Sequence, residues 1–339
     1  MKKRIICARV PSRIDFVGGG TDCPPYSAEY GGAVINAGIT RYIYIMLILG
    51  EPKKGIKIIS RDFDCRVSAK DKFDLKYDGK LDLVKAAVKR FGPKTGFTLI
   101  TDAELPPQSG LGGSASVTVG VIGVLTYANG KKLTQKQIAD KAYVVERKDL
   151  KLRGGKQDQY GVALGGVNYF EFKDPHVKSE SLNKLSISTL LELEKNCLLI
   201  YTGTVHLSEN IHQEIFDSYH RPNSTTLKAM HNLTKAAKQA KKALLKGNLN
   251  EFAHLKNVNW SNHKLLHSSC TNSRLEKIIR TGLKSGAKGA KVCGAGGGGC
   301  IVFLCNEGMK GQVSTVLKGL KCIPLHFKFD YSGIVIYQV

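Results

Sequence analysis

The stretch "ELPPQSGLGGSASVTVG" (104–120) joins a β-rich run to the segment "SASVTVGVIGVLTYA", which is apolar on every face. A strand is rarely so long, so length predicts a helix, and a helix with no polar face must be buried between layers. The segment's many valines also suit a strand, but length favours the helix. The glycines between strand and helix permit positive φ and close backbone approach. Gly110, Gly112 and Gly113 supply that freedom, and Ser114 is the expected cap of the helix.

A tight turn of successive N–H groups leading into a helix N-terminus is a concave anion site, because orphan amides and the helix dipole both favour negative charge. Two further glycine-dense loops occur, "FVGGGTD" (16–22) and "GAGGGG" (294–299). Taken singly, each reads first as a tight turn in a β-rich protein. A Walker loop needs Gly-Lys followed by Ser or Thr, and none is present. Gly294, Gly296 and Gly299 match G-x-G-x-x-G, but "CIVFL" follows as a strand, so the dinucleotide fingerprint fails in context. Gly110-x-Gly112-x-x-Ala115 fails too: Pro106-Pro107 interrupts the strand entry and no acidic residue ends a strand at the expected distance.

The chain's 339 residues exceed one compact core, predicting two domains, 1–175 and 190–339, with the polar segment "KDPHVKSESLNKL" between them. "YIYIMLILG" (42–50) and "GIKIISRD" (55–62) read as a hairpin across the turn at 51–54. Leu83, Val84, Ala87, Val88 and Phe91 repeat at helical spacing before Gly92-Pro93, and "GFTLITDAEL" reads as the strand entering the glycine loop. Thr134 with Gln137 predicts a capping box ahead of a helix with Ile138, Ala142 and Val145 on one face. Strands are expected over 165–172 and 196–203, helices over about 208–285, and a β-rich end; no solenoid repeat occurs.

The net charge of +23 fits nucleic acid, an anionic small substrate or a lysine-rich surface. Its densest patch, Lys235 to Gly247, reads as one exposed helix face without aromatic interleaving, which disfavours nucleic acid. No apolar stretch can span a bilayer, and the apolar run before Arg9 is too short for a signal-peptide core, so a cytoplasmic protein without a membrane role is expected. Nine scattered cysteines lack metal-ligand spacing and read as free, mostly buried thiols; His206 and His212 suggest no metal site.

"PSRIDFVGGGTD", "ELPPQSGLGGSAS" and "GAKVCGAGGGGCIVF" together resemble, in order, the three motifs of the GHMP family of small-molecule kinases. The resemblance implies an α+β, two-domain fold, the N-terminal domain like ribosomal protein S5 domain 2 and the C-terminal one ferredoxin-like. Within the family, "GGGTDCPPYSAEYGGAVINAGI", "GGKQDQYGVALGGVNYFEF" and "LLIYTGTVHLSENI" are similar to the D-glycero-D-manno-heptose 7-phosphate kinases, implying transfer of the γ-phosphoryl of ATP to an anomeric hydroxyl. Other readings stay open: a galactose, fucose or mevalonate-type kinase, or a catalytically silent ATP and sugar sensor. Gly113 departs from the family, most members having serine there.

By this resemblance Pro107, Gln108, Ser109, Gly110, Leu111, Gly112, Gly113, Ser114 and Ala115 hold ATP phosphates, and Ser114 with Glu146 holds Mg2+. Asp158 acts on the sugar hydroxyl as base or electrostatic guide, with Arg13 beside it. Gly20, Thr21, Asp22, Gly297 and Gly298 border a phosphorylated sugar, whose phosphate would want Arg41, Arg153 or Lys156. On composition alone Glu146 is a solvated residue beside Arg147 and Lys148, Asp158 a loop cap, Asp22 the closure of a turn and Arg13 a surface charge. A monomer or homodimer is expected.

Overall fold

Two long strands, β1 (Ile5–Val17) and β2 (Gly32–Leu49), pair antiparallel along almost their whole length and carry the larger sheet. The computed structural model describes residues 4–50, 55–204, 208–221 and 225–339. A short helix α1 (Tyr26–Glu29) separates β1 from β2. Next come β3 (Ile56–Ser60), β4 (Cys65–Ala69), α2 (Asp82–Phe91), β5 (Phe97–Ala103) and α3 (Gly113–Ala128). Then follow α4 (Gln135–Val144), α5 (Gln157–Leu164), β6 (Val167–Lys173), β7 (His176–Ser181), α6 (Ile187–Asn196) and β8 (Cys197–Tyr201). The rest is α7 (Ser208–Tyr219), α8 (Thr225–Leu245), α9 (Leu249–His263), α10 (Ser273–Lys284), β9 (Ala287–Val292), β10 (Cys300–Cys305), α11 (Lys310–Lys318), β11 (Ile323–Leu325) and β12 (Val335–Gln338).

The larger sheet runs β12-β1-β2-β5-β3-β4, while β6 pairs the first half of β2 and β7 pairs β6. The smaller sheet runs β11-β8-β10-β9, antiparallel throughout. The expected hairpin of β2 and β3 is overturned: β5 pairs with β2 on one side and, parallel, with β3 on the other. Strand-forming composition reports that a segment pairs, and only tertiary packing selects the neighbour. The turn expected at 51–54 lies outside the described residues. The polar segment taken as a boundary between domains is likewise not a linker, because it contributes β7 to the larger sheet. The chain's last strand also returns to that sheet, beside β1.

α3 is buried over most of its length, as its all-round apolar pattern demanded. A side chain at Gly120 would meet Ile45 and Val10, and one at Gly123 would meet Ile334 and Ile336, so the helix lies against the sheet at glycine distance. The Thr134–Gln137 capping box forms in full at the start of α4. On α8 the alanines Ala236, Ala237, Ala240 and Ala243 are buried while Lys235, Lys238 and Lys242 face solvent, as expected for that patch. The nine cysteines are free, seven of them buried. Among the described residues no helix is long and apolar enough to cross a membrane.

Candidate active site

Arg13 sits in the middle of β1, 2% exposed, and its guanidinium makes three directed bonds. Nε and Nη2 donate to Asp158 Oδ1 and Oδ2 at 2.9 and 2.7 Å, and Nη1 donates to the Gly110 carbonyl at 2.5 Å. Its own amide donates to the Leu111 carbonyl at 2.9 Å. A bidentate arginine–carboxylate fork fixes both position and plane. One strand residue therefore locks the glycine loop to the carboxylate of the first turn of α5. Burial works against the Arg13 charge, but Asp158 and Asp15 outweigh it and raise its pKa.

The glycine loop ends in a left-handed residue, Gly112 (φ +78°), which is the N-cap of α3; no side chain caps that end. The expectation that Ser114 caps is thus corrected. Gly112 occupies the cap because Arg13 Cγ lies 3.2 Å from where its Cβ would stand and its φ suits glycine. The first helical bond is Ser116 N–H to Gly112 O, at 2.9 Å, so the amides of Gly113, Ser114 and Ala115 precede the ladder and point out of the helix end. Ser114 is exposed, with its hydroxyl left over for a ligand, while Ser109 and Leu111 are buried and Pro107 and Gln108 are exposed. Gln108 itself has φ +55° and Gly110 φ +74°.

Glu146 stands on a π-helical turn, Val145–Asp149, that widens the end of α4. Bidentate bonds from Arg90 to Asp149, at 2.7 and 2.6 Å, brace the turn. Gln159 Nε2 donates to Glu146 Oε2 at 2.7 Å, while Oε1 is out of solvent and without a protein partner. Burial pushes the Glu146 carboxyl up to about 7; the Gln159 bond works the other way and Asp158 adds to the rise. An orphaned, desolvated carboxylate oxygen and a free serine hydroxyl are the hard oxygen donors that Mg2+ takes when phosphate and water complete its shell. These residues fit such an ion; among the described residues no group of three or more His, Cys, Asp or Glu forms a protein-only metal cage.

Asp22 is 2% exposed and is claimed by the chain itself. Oδ2 accepts from Gln157 N at 2.9 Å and Oδ1 from Gln157 Nε2 at 3.3 Å, and a side chain at Gly155 would stand 1.8 Å from Oδ2. Burial pushes its pKa up to about 6 against those bonds. Asp22 thus seats the loop that carries Asp158. Thr21 is equally committed, its hydroxyl donating to Gly18 O at 2.8 Å and accepting from Ala33 N at 3.1 Å. Gly20, with φ +96°, shapes the same turn.

The third glycine loop does pack on the phosphate loop. A Cβ at Gly299 would lie 2.6 Å from Ser109 O and one at Gly294 3.1 Å from Gly110 Cα. Gly297 is turned the other way, its amide on Cys270 O at 2.8 Å and its carbonyl accepting from Asn272 at 2.9 Å. Gly298, beside it, is buried. Sequence reading missed what holds this loop: Asp15 Oδ1 accepts from Gly294 N at 3.0 Å and Oδ2 from Lys291 Nζ, with both side chains wholly buried. Lys291 and Arg13 outweigh burial and hold the Asp15 carboxyl below the usual carboxylate range. A lysine inside the apolar strand "AKVCG" was the available signal, since a buried ammonium requires a partner.

Of the basic candidates for a substrate phosphate, Lys156 is already spent on Asp174 at 2.6 Å and on the Pro175 carbonyl at 2.8 Å. Arg41 donates to His326 O at 2.8 Å. Arg153 lies in a cleft with Arg147 and Lys151. His212 sits partly buried near Asp158, Arg147 and Arg13, and its pKa is lowered by burial first; His206 lies outside the described residues.

Residues 82–166 match the N-terminal domain model of GHMP kinases and residues 240–318 the C-terminal one. The chain is 32% identical to a D-glycero-alpha-D-manno-heptose 7-phosphate kinase of Campylobacter jejuni over 99% of this chain and 100% of that protein. It superposes with a TM-score of 0.80 on a D-glycero-D-manno-heptose 1-phosphate kinase from Bacteroides thetaiotaomicron, 30% identical, covering 98% of this chain and 99% of that one. A Lactococcus lactis galactokinase solved with galactose shares the fold at 20% identity, TM-score 0.77, over 98% and 95% of the two chains. With a fork of Arg13 and Asp158 clamped to an open glycine loop, with both domain models matched and with 32% identity along the whole length of such a kinase, the chain belongs to the GHMP kinase family.

Proposed function

We propose that the chain transfers the γ-phosphoryl group of ATP to the anomeric hydroxyl of D-glycero-D-manno-heptose 7-phosphate, giving the 1,7-bisphosphate and ADP. The observation that carries this reading is the three-way clamp of Arg13 on Asp158 and Gly110, which holds the acceptor-side carboxylate in register with the phosphate loop. Phosphoryl transfer asks mainly for such positioning and for charge to meet a negative transition state.

The open amides of Gly113, Ser114 and Ala115, at the positive end of α3, cradle the phosphates without a P-loop lysine. The serine that Gly113 replaces supplied only a side-chain bond, so the main-chain cradle survives. Asp158 accepts the hydrogen bond of the anomeric hydroxyl; its oxygen attacks the γ-phosphorus, the bond from that phosphorus to the β–γ bridging oxygen breaks, and the proton passes to Asp158 and then to solvent. An anomeric hydroxyl is more acidic than an ordinary alcohol, so a carboxylate shared with Arg13 suffices. Glu146, oriented by Gln159, and Ser114 would hold Mg2+, which supplies charge neutralisation at the phosphates when bound.

Asp22 and Thr21 act in this reading through the loop they hold, Gly20 shapes that same turn, and Gly297 and Gly298, turned into the packing of the third loop, are left out of it. In this reading the enzyme works in the cytoplasm, where ATP and sugar phosphates are found, as a monomer or homodimer and without a nucleic-acid partner. The N-terminal half, 1–175, carries the phosphate loop and Asp158, and 190–339 supplies the third glycine loop that packs against it. The two named heptose kinases differ in where their names place the phosphate, and a 1-phosphate leaves no anomeric hydroxyl to attack. ADP release on heptose 7-phosphate, heptose 1-phosphate, galactose, L-fucose and mevalonate separates the alternatives; inertness toward the 7-phosphate with turnover of another acceptor rejects this assignment.

A further inference from the structure

We propose that the cleft lined by Arg147, Lys151, Arg153, Asn210 and Gln213 binds the phosphate group of the sugar phosphate substrate, a subsite that rests on the kinase reading above. The cleft has a volume of about 410 Å³. Three cations and two amide side chains line it. Among the described residues none of the three cations has a carboxylate within ion-pairing distance, in contrast to the buried bases Arg13, Lys156 and Lys291. A cleft lined by cations of one sign raises the local concentration of anions.

The cleft is built, and its parts are held. Arg153 lies with Cζ 3.5 Å from the centre of the Phe216 ring, and its Nε donates to Gln213 Oε1. Gln213 is oriented in turn by donating to Asp217 at 2.7 Å. Stacking and the Nε bond fix the plane of the guanidinium while leaving its two terminal nitrogens for a ligand, the geometry in which arginine recognises a phosphate bidentately. Arg147 donates through Nη1 to the Leu152 carbonyl, which closes the loop after the π-turn. Lys151, at the tip of that loop, has φ +57° and stands exposed, its ammonium free of any partner named among the described residues.

Its position relative to the chemistry follows from what its neighbours touch. Arg147 follows Glu146 directly on the π-turn, so one wall of the cleft is continuous with the metal-side carboxylate. His212, next to Gln213 on the opposite wall, feels Asp158, Arg147 and Arg13 together, and Cys23, next to Asp22, feels Asp22, Arg147 and Asp158. Arg147 thus joins the cleft to the surroundings of Asp158, Asp22 and Glu146. A sugar whose anomeric hydroxyl reaches Asp158 extends its far end toward that cleft.

The test is steady-state kinetics of Lys151→Ala, Arg153→Ala and the double variant on D-glycero-D-manno-heptose 7-phosphate and on unphosphorylated D-glycero-D-manno-heptose. Each single change should raise KM for the phosphorylated sugar about 10-fold and the double change about 100-fold, the loss expected for charge-assisted bonds. The kcat should stay within about twofold, as for uniform binding. KM for ATP and the kinetics on the unphosphorylated sugar should not move, which a merely structural defect would not permit, and Arg153→Lys should recover part of the loss. A wild type that prefers the 7-phosphate together with variants that keep that preference, or variants that raise KM for ATP instead, overturns the subsite and leaves the kinase reading standing. A wild type indifferent to the phosphate overturns the substrate reading and the subsite with it.

Discussion

The phosphate loop and the third glycine loop touch each other and are written in nearly the same letters, yet they do opposite things with their amides. At Gly113, Ser114 and Ala115 the N–H groups precede the helical ladder and are left open, while Gly294 N–H is held by Asp15, Gly297 by Cys270 O and Gly299 by Thr204 O. Glycine in the first loop exposes backbone to a ligand; in the second it lets backbone approach backbone, with a Cβ at Gly296 set to meet Cys270 O at 2.3 Å. Composition cannot tell a cradle from a packed turn. What separates them is where each loop's hydrogen bonds end, and each loop has its own aspartate, Asp158 for the open one and Asp15 for the closed one.

Exchanging the two aspartates is the strongest way to break the comparison. Asp158→Ala should lower kcat about 10²–10⁴-fold, the usual worth of a positioned acid–base group, with ATP binding measured by calorimetry nearly unchanged. Turnover at the wild-type level would remove Asp158 from the chemistry. Asp15→Ala should do the reverse: with Lys291 left unpaired and both side chains at 0% exposure, stability should drop by about 3–5 kcal/mol in urea unfolding, while kcat per folded molecule falls far less.

At the next level, Gly299→Ala should cost about 2 kcal/mol of stability, since its φ of +76° resists a side chain and its Cβ would press Ser109 O. Equal unfolding midpoints for wild type and variant would show that the third loop is not packed as described. Asp22 sharpens the contrast through pH. Its folded pKa of about 6 lies above the unfolded value near ~3.9, so the folded state keeps its proton longer and this group's contribution to stability falls as pH rises from about 4 to 6, then levels. The difference in unfolding free energy between wild type and Asp22→Asn should follow that course; a difference flat across the window would contradict it. The smallest effect belongs to the open loop. Gly113 has no positive φ, and a Cβ there meets only Leu105 Cδ1 at 3.7 Å, so Gly113→Ser should keep turnover within about twofold and add ~0.5 kcal/mol to thermal stability through reduced unfolded-state freedom.

Much of the site was legible because its signals are local. The apolar run after Gly112 had to become a buried helix, Thr134 and Gln137 had to cap the next one, and the family motifs pointed to Arg13 and Asp158, which the fold brings into contact. The failures are non-local. β2 and β3 look like a hairpin until β5 comes between them, and β7 looks like a linker until β6 offers it an edge. Ser114 reads as a cap because serine caps helices, but Arg13 packs so closely on the turn that glycine must take that position. Lys156 reads as a ligand for phosphate, yet Asp174 has claimed it, while Gln159 was passed over and orients Glu146.

By itself the sequence determined the glycine-loop helix that must lie between layers, the capped helix after it, and the family of kinases to which these motifs belong, because periodicity, capping and loop chemistry act over a few neighbouring residues. Tertiary structure alone decided which strands pair, which amides stay open, that Asp15 and Lys291 meet across 276 residues, and that Arg147, Lys151 and Arg153 share a cleft with Asn210 and Gln213. Hydrogen bonds and ion pairs between distant segments depend on how the layers stack, and no local pattern encodes that distance.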